Sequence, residues 1–182
     1  EWTPNTYTIT YDANGATSGT APADQTKSHG ISLTLATNTG TLAKTNYTFN
    51  GWNTADDGSG THYDAGATYS LDAGDTLYAE WTPNTYTITY DANGATSGTV
   101  PADQTKSYGI SLTLATNTGT LAKTNYTFNG WNTADDGSGT HYDAGATYSL
   151  DAGDTLYAEW TPDTYTITYD ANGATSGTVP AD

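Results

Sequence analysis

The chain has no cysteine, no methionine and no arginine, and only four lysines. Without cysteine there can be no disulfide, no thiolate nucleophile and no thiolate metal site. Four cationic side chains stand against 20 acidic ones, a net charge of −16 at pH 7. That balance argues against nucleic acid or an anionic membrane surface as partner, because such binding needs basic groups to displace counterions. Leucine and isoleucine are few, and no long stripe of 3.6-residue period runs through the chain, so long helices are not expected. No leader peptide, transmembrane run or anchor motif is visible, and no membrane insertion is expected. The chain runs from Glu1 to Asp182 and reads as an excerpt of a longer protein.

Threonine, tyrosine, glycine, asparagine and aspartate dominate instead. The first two favour strands and the others turns, a balance suited to an extracellular β-rich repeat protein. The repetition is explicit. Trp2, Trp81 and Trp160 are spaced by 79 residues (81 − 2 and 160 − 81), and within one period the two full copies differ only at Ala21/Val100 and His29/Tyr108. A period this long does not suit a solenoid turn; it suits a small, independently folded domain in tandem. Residues 1–5 are read as the end of a preceding repeat and its linker, 6–82 as repeat 1, 83–161 as linker and repeat 2, and 162–182 as the start of a third. Pro83 in the segment Thr82-Pro83-Asn84-Thr85 should make the joint semi-rigid.

Each copy centres on Tyr47-Thr48-Phe49-Asn50-Gly51-Trp52, which returns as Tyr126 to Trp131. Tyr7 to Tyr11 alternates strictly, placing Tyr7, Ile9 and Tyr11 on one face. Asp12-Ala13-Asn14-Gly15 has turn chemistry. Ile31 to Leu35 is a second alternating run, Thr41 to Thr45 can hold one helical turn with Leu42 and Ala43 inward, and His62-Tyr63 reads as a returning hairpin arm. Leu77 to Trp81 closes the copy with Leu77, Ala79 and Trp81 inward and Glu80 outward. About five strands per copy follow. The expected core is Tyr7, Ile9, Phe49, Trp52, Leu77 and Trp81, with Tyr86, Ile88, Phe128, Trp131, Leu156 and Trp160 in the second copy.

Four motifs occur in a fixed order: Tyr-Thr-Ile-Thr-Tyr-Asp-Ala-Asn-Gly, Tyr-Thr-Phe-Asn-Gly-Trp, Asp-Gly-Ser-Gly-Thr and Thr-Leu-Tyr-Ala-Glu-Trp-Thr. Together they resemble the Listeria–Bacteroides repeat, the B-repeat type of module of internalins and many bacterial surface proteins. The resemblance covers each copy from end to end and is most specific at Tyr47 to Trp52 and Thr76 to Thr82. It departs from the family between Leu35 and Tyr47, where prolines and a basic residue give way to threonine and asparagine. It implies an α+β, β-grasp-like sheet with little helix, small domains joined end to end, a secreted or cell-surface location, and no catalytic residue. In a β-grasp sheet the first and last strands pair in parallel, which would place the termini of a domain at opposite ends.

The polar residues offer several chemistries. Ser59, His62 and Asp64 share one loop, but a triad needs nucleophile, base and acid in fixed mutual geometry, which a flexible loop does not supply. No enzyme is expected. Calcium is the more serious option. Asn53, Asp57, Gly58 and Asp64 match positions 1, 5, 6 and 12 of an EF-hand-like loop; Ala55 occupies position 3, and flanking helices are missing. A non-standard site from Asp56, Asp57 and Asp64, with Asp135, Asp136 and Asp143 in the second copy, competes with a solvated turn. No other cofactor is indicated. Tyr63, Tyr69 and Tyr78 could stack on sugar but are better read as cross-strand packing. Thr8, Thr10, Ser32 and Thr34 form a polar row of the kind seen on ice-binding surfaces, or on any solvated strand face. An isopeptide bond needs a buried acid, and an outward Glu80 argues against one. Asn46-Tyr47-Thr48 and Asn125-Tyr126-Thr127 match glycosylation sequons.

The expected function is a non-enzymatic structural repeat, a stalk or fibre subunit, with head-to-tail assembly with neighbouring copies as one arrangement open to it. The rival is an adhesive module recognising glycan or host protein through avidity. Residues 164–182 carry one strand without a partner of its own, and a neighbouring copy is expected to order it.

Overall fold

The computed structural model describes residues 2–181. The chain divides into two compact units, one on each complete repeat; the first also takes in Ser107–Ile110. The first repeat contains β1 (Thr6–Asp12), β2 (Gln25–Ser28), β3 (Leu33–Thr34), β4 (Tyr47–Asn53), β5 (His62–Tyr63), β6 (Thr68–Tyr69) and β7 (Asp75–Pro83). The second contains β8 (Thr85–Asp91), β9 (Gln104–Ser107), β10 (Leu112–Thr113), β11 (Tyr126–Asn132), β12 (His141–Tyr142), β13 (Thr147–Tyr148) and β14 (Asp154–Pro162). No helix occurs among the described residues, so the fold is all-β rather than α+β.

Within the first repeat the main sheet has the order β2-β1-β7-β4-β5, and β3 pairs with β6 in a two-stranded sheet. The first and last strands run parallel at its centre, with Ile9 opposite Asp75 and Tyr11 opposite Leu77. The second repeat has the same pairings, β14 lying parallel to β8.

Alternation builds the core. Ile9 and Tyr11 from β1, Leu77 and Ala79 from β7 and Trp52 from β4 point to one side, where Leu35, Leu42 and Tyr69 close over them. Trp52 is fully buried, and its indole N–H donates to the Ala36 carbonyl at 2.8 Å. Phe49 and Trp81 are partly buried at the rim. The Phe49 ring stands edge-on to Trp52 at 5.2 Å and to Trp81 at 5.7 Å. Ile88, Trp131 and Leu156 are fully buried in the second repeat, with Phe128 and Trp160 at the rim.

Several sequence expectations are corrected. Tyr7 and Tyr86 share a face with the core residues but sit too near the strand starts to be covered, and both are only partly buried. Tyr69, given no core role, is buried. Residues 41–45 form no helical turn: Thr41 has φ 53, and Ala43 pairs with Ser18. Leu42 still points inward, but Ala43 is exposed. The run from Ile31 shrinks to Leu33–Thr34, because Ile31 sits in a turn closed by its N–H to the Ser28 carbonyl, and its side chain is 62% exposed. The second strand is Gln25–Ser28, hidden from a pattern search because its inward residue is Lys27.

Residues 165–169 form no strand, although their sequence repeats that of β1 and β8, and Tyr165, Ile167 and Tyr169 are exposed. The expected ordering by a neighbouring copy does not occur within this chain. Each complete repeat already pairs its last strand with its own first strand, so no parallel partner is free.

Candidate functional site

Glu80 is the centre of a polar cluster, not an outward solvated residue. Alternation along β7 sends it to the face opposite Leu77 and Ala79. There the register with β4 shifts between Phe49 and Gly51, so that Gly51 stands opposite Glu80. Gly51 has φ 118, and a Cβ on it would lie 2.5 Å from the Tyr63 carbonyl oxygen and 3.1 Å from His62 Cε1. The missing side chain lets His62, on the edge strand β5, lie across β4 and reach β7. Glu80 Oε1 accepts from Asn50 Nδ2 at 3.1 Å; Oε2 accepts from Asn53 Nδ2 at 2.9 Å and lies 2.9 Å from His62 Nδ1. The other ring nitrogen, Nε2, is 3.3 Å from Asp64 Oδ1. Asn129, Asn132, His141, Asp143 and Glu159 repeat this arrangement.

The electrostatics follow from those contacts. Burial alone would push the Glu80 carboxyl up, but the hydrogen bonds from Asn53, His62 and Asn50 outweigh it and hold it below the ordinary range. The hydrogen bond to Glu80, then that to Asp64, raise the His62 imidazole above its ordinary value against a smaller opposing effect of burial.

A second cluster anchors β2. Lys27 is 1% exposed, and its Nζ donates to Asp72 Oδ1 at 2.7 Å and to the Ser28 carbonyl at 2.6 Å. Asp72 Oδ1 also accepts from the Gly30 N–H at 2.9 Å, and His29 Nδ1 lies 3.0 Å from Oδ2. These donors, Lys27 first, hold the Asp72 carboxyl low. Lys106 and Asp151 repeat the pair at 2.6 Å, where Tyr108 replaces the histidine. A third network sits at the core edge. Tyr11 donates its hydroxyl proton to Gln25 Oε1, and both oxygens accept from the Ala36 N–H. Burial pushes the Tyr11 hydroxyl pKa up, with the Ala36 N–H opposing.

A small polar cavity lies beside the first cluster, lined by Asn14, Lys44, Tyr47, Asn53, Glu80 and Trp81 among others. Its polar groups are largely engaged. Asn14 Nδ2 donates to the Asp56 and Ala79 carbonyls at 2.8 and 2.9 Å, and the Trp81 indole donates to the Asn14 carbonyl at 3.0 Å. The Lys44 ammonium stands 4.9 Å above the Tyr47 ring.

The other candidates separate. Asp57 Oδ1 accepts from the Ser59 N–H and hydroxyl at 2.9 and 2.6 Å, an Asx turn, while Asp64 faces His62 and Asp56 is exposed. Asp136 likewise caps Ser138, Asp143 faces His141, and Asp135 is exposed. Among the described residues no three metal-ligating side chains are grouped to hold an ion. Ser59 is turned to Asp57 and not to His62, so Ser59, His62 and Asp64 do not assemble as a triad. Tyr63 packs against buried Tyr69 with ring centroids 5.6 Å apart, and Tyr78 is partly buried. Ser32 lies outside β3, which interrupts the polar row. Sequence reasoning overlooked buried Lys27 and the reach of His62 to Glu80; neither alternation nor local spacing signals a contact 18 residues apart.

Such a chain is a tandem of small all-β domains braced by internal polar clusters. The Listeria-Bacteroides repeat domain matches residues 7–80 and 86–159, and the chain belongs to that family. It is 39% identical over 173 residues to an Evansella cellulosilytica protein whose name calls it a Gly-rich membrane protein, covering 92% of this chain and 20% of the relative. It is 40% identical over 121 residues to Internalin H of Listeria monocytogenes, covering 65% of this chain and 20% of that protein. The chain therefore spans about a fifth of the length of these relatives. Among solved structures it aligns with streptococcal SHIRT domains 3-4 of a cell surface protein at 19% identity and TM-score 0.31, over 86% of this chain and 99% of that one.

Proposed function

We propose that each copy is a structural spacer of a bacterial cell-surface or secreted protein, an extended stalk or fibre element set among further copies of itself. The observation that carries this reading is the parallel pairing of the first and last strands in each repeat. Parallel neighbours start at the same end of a sheet. The chain therefore enters a repeat at one end, where β1 begins, and leaves at the other, where β7 finishes. Only Asn84 separates β7 from β8, which leaves little slack between repeats. The strand order, with parallel first and last strands at the centre, supports a β-grasp-like arrangement from which the helix has been lost. No helix among the described residues is long and apolar enough to cross a membrane. Family membership and the relatives' names support a surface or extracellular setting.

Small-angle X-ray scattering on the whole chain tests the spacer. A maximum dimension near twice that of one repeat supports it. A compact particle would overturn it in favour of an adhesive module for glycan or host protein.

A further inference from the structure

We propose that His62 and His141 are proton-operated clasps that tie the edge strand of each main sheet to its central strand while the imidazole is protonated and release it as the proton is lost. The geometry supplies the device. His62 reaches from β5 across the Gly51 bulge of β4 to Glu80 of β7, and a second carboxylate, Asp64, flanks its other ring nitrogen at 3.3 Å. A neutral imidazole has one N–H and can donate to only one carboxylate; its other nitrogen would then set a lone pair against the second carboxylate's lone pairs. Only the imidazolium donates to both. The groups facing the ring are Glu80 from β7 and Asp64 from the turn after β5, with the neutral amides of Asn50 and Asn53 on β4 holding Glu80 in place. Both facing charges are negative, so none opposes the proton.

The direction of the linkage is fixed. A histidine whose folded value lies above its unfolded one contributes its full stabilisation below the unfolded value of about 6.5, and loses it as pH rises through the folded value. Glu80, held below the ordinary carboxylate range, keeps the pair charged on the acid side until the carboxylates themselves take protons. The part released is β5 with the loop before it, residues 54–61, which two β5 residues anchor to β4 through Trp52–Tyr63 and Asn53–His62 pairing.

The test has two arms on the whole chain. Nuclear magnetic resonance titration of the two clasp imidazoles should show His62 and His141 titrating together, above the value of an unperturbed histidine. Urea melts from pH 5.5 to about 9 should show the wild type losing stability as pH rises above the ordinary histidine value, with most of the loss abolished in the His62→Gln/His141→Gln variant. Imidazoles titrating at or below the ordinary histidine value would overturn the proposal even if the variant did not fold. So would a folded variant with the pH dependence of the wild type.

Discussion

At the scale of single residues, burial separates side chains that look alike in the sequence. Trp52 and Trp131 fill the centres of their cores, whereas Phe49 and Phe128 pack at the rim. Replacing Trp52 and Trp131 together by alanine should cost about 3–5 kcal/mol per repeat, and the Phe49/Phe128 pair distinctly less, because a rim side chain leaves no closed cavity. Denaturant melts of the two double variants check the order; equal losses would put Phe49 in the core instead. Lys27 is the reverse case, a charge under cover. Removing Asp72 with Asp72→Ala leaves the buried ammonium its hydrogen bond to the Ser28 carbonyl but no countercharge. The expected loss is measurable but smaller than for a fully buried pair, because Asp72 is partly exposed. Lys27→Met should be nearly neutral, since it removes the charge and keeps the stem. A larger loss for Lys27→Met than for Asp72→Ala would mean the ammonium is held by the Ser28 carbonyl rather than by the carboxylate.

At the scale of elements, the bulge in β4 shapes the polar face. A side chain at Gly51 would have to adopt a φ that L-residues avoid and push into the Tyr63 carbonyl. Gly51→Ala should therefore destabilise its repeat by at least about 2 kcal/mol, combining backbone strain with overpacking, and should perturb the His62 ring resonances. A variant with unchanged stability and unchanged resonances would refute that role for the bulge. The hairpin loop carries the other element-scale prediction. Asp57 Oδ1 accepts from Ser59 and Asp64 faces His62, so the loop as folded does not bring its carboxylates together. Millimolar calcium should leave the melting temperature where it is. A saturable rise, lost in Asp57→Asn, would show that the loop rearranges into a site.

At the scale of the whole molecule, tandem arrangement and strand order together set the mechanics. Force applied to the ends of a repeat runs along β1 and β7 in opposite senses, and so loads their ladder in shear, with all the bonds sharing the load. Single-molecule pulling should give one abrupt event per complete repeat, each lengthening the chain by about 270 Å less the end-to-end span of the folded repeat, from roughly 3.4 Å for each of its 79 residues. Gradual extension at low force would argue against a load-bearing spacer. The two repeats differ at two positions, neither in the fully buried core, and should melt at nearly the same denaturant concentration.

The period, the tandem domains, the family and the strands with clean apolar alternation were all legible in the sequence. Ile9, Trp52 and Leu77 declared their inward faces by spacing of two residues, and Asp-Ala-Asn-Gly its turn by composition, because both are properties of neighbouring residues. Tertiary structure alone decided what depends on residues far apart. It paired β2 through an inward lysine that no hydrophobic pattern could reveal. It replaced the expected helical turn with an irregular segment anchored to Ser18, and it covered Tyr69 while leaving Tyr7 at the margin. It brought His62, Asn53 and Glu80 together through a bulge whose effect appears only when three strands lie side by side. Burial and electrostatics are set by what packs across the sheet, and that neighbour is chosen by topology rather than by the local sequence.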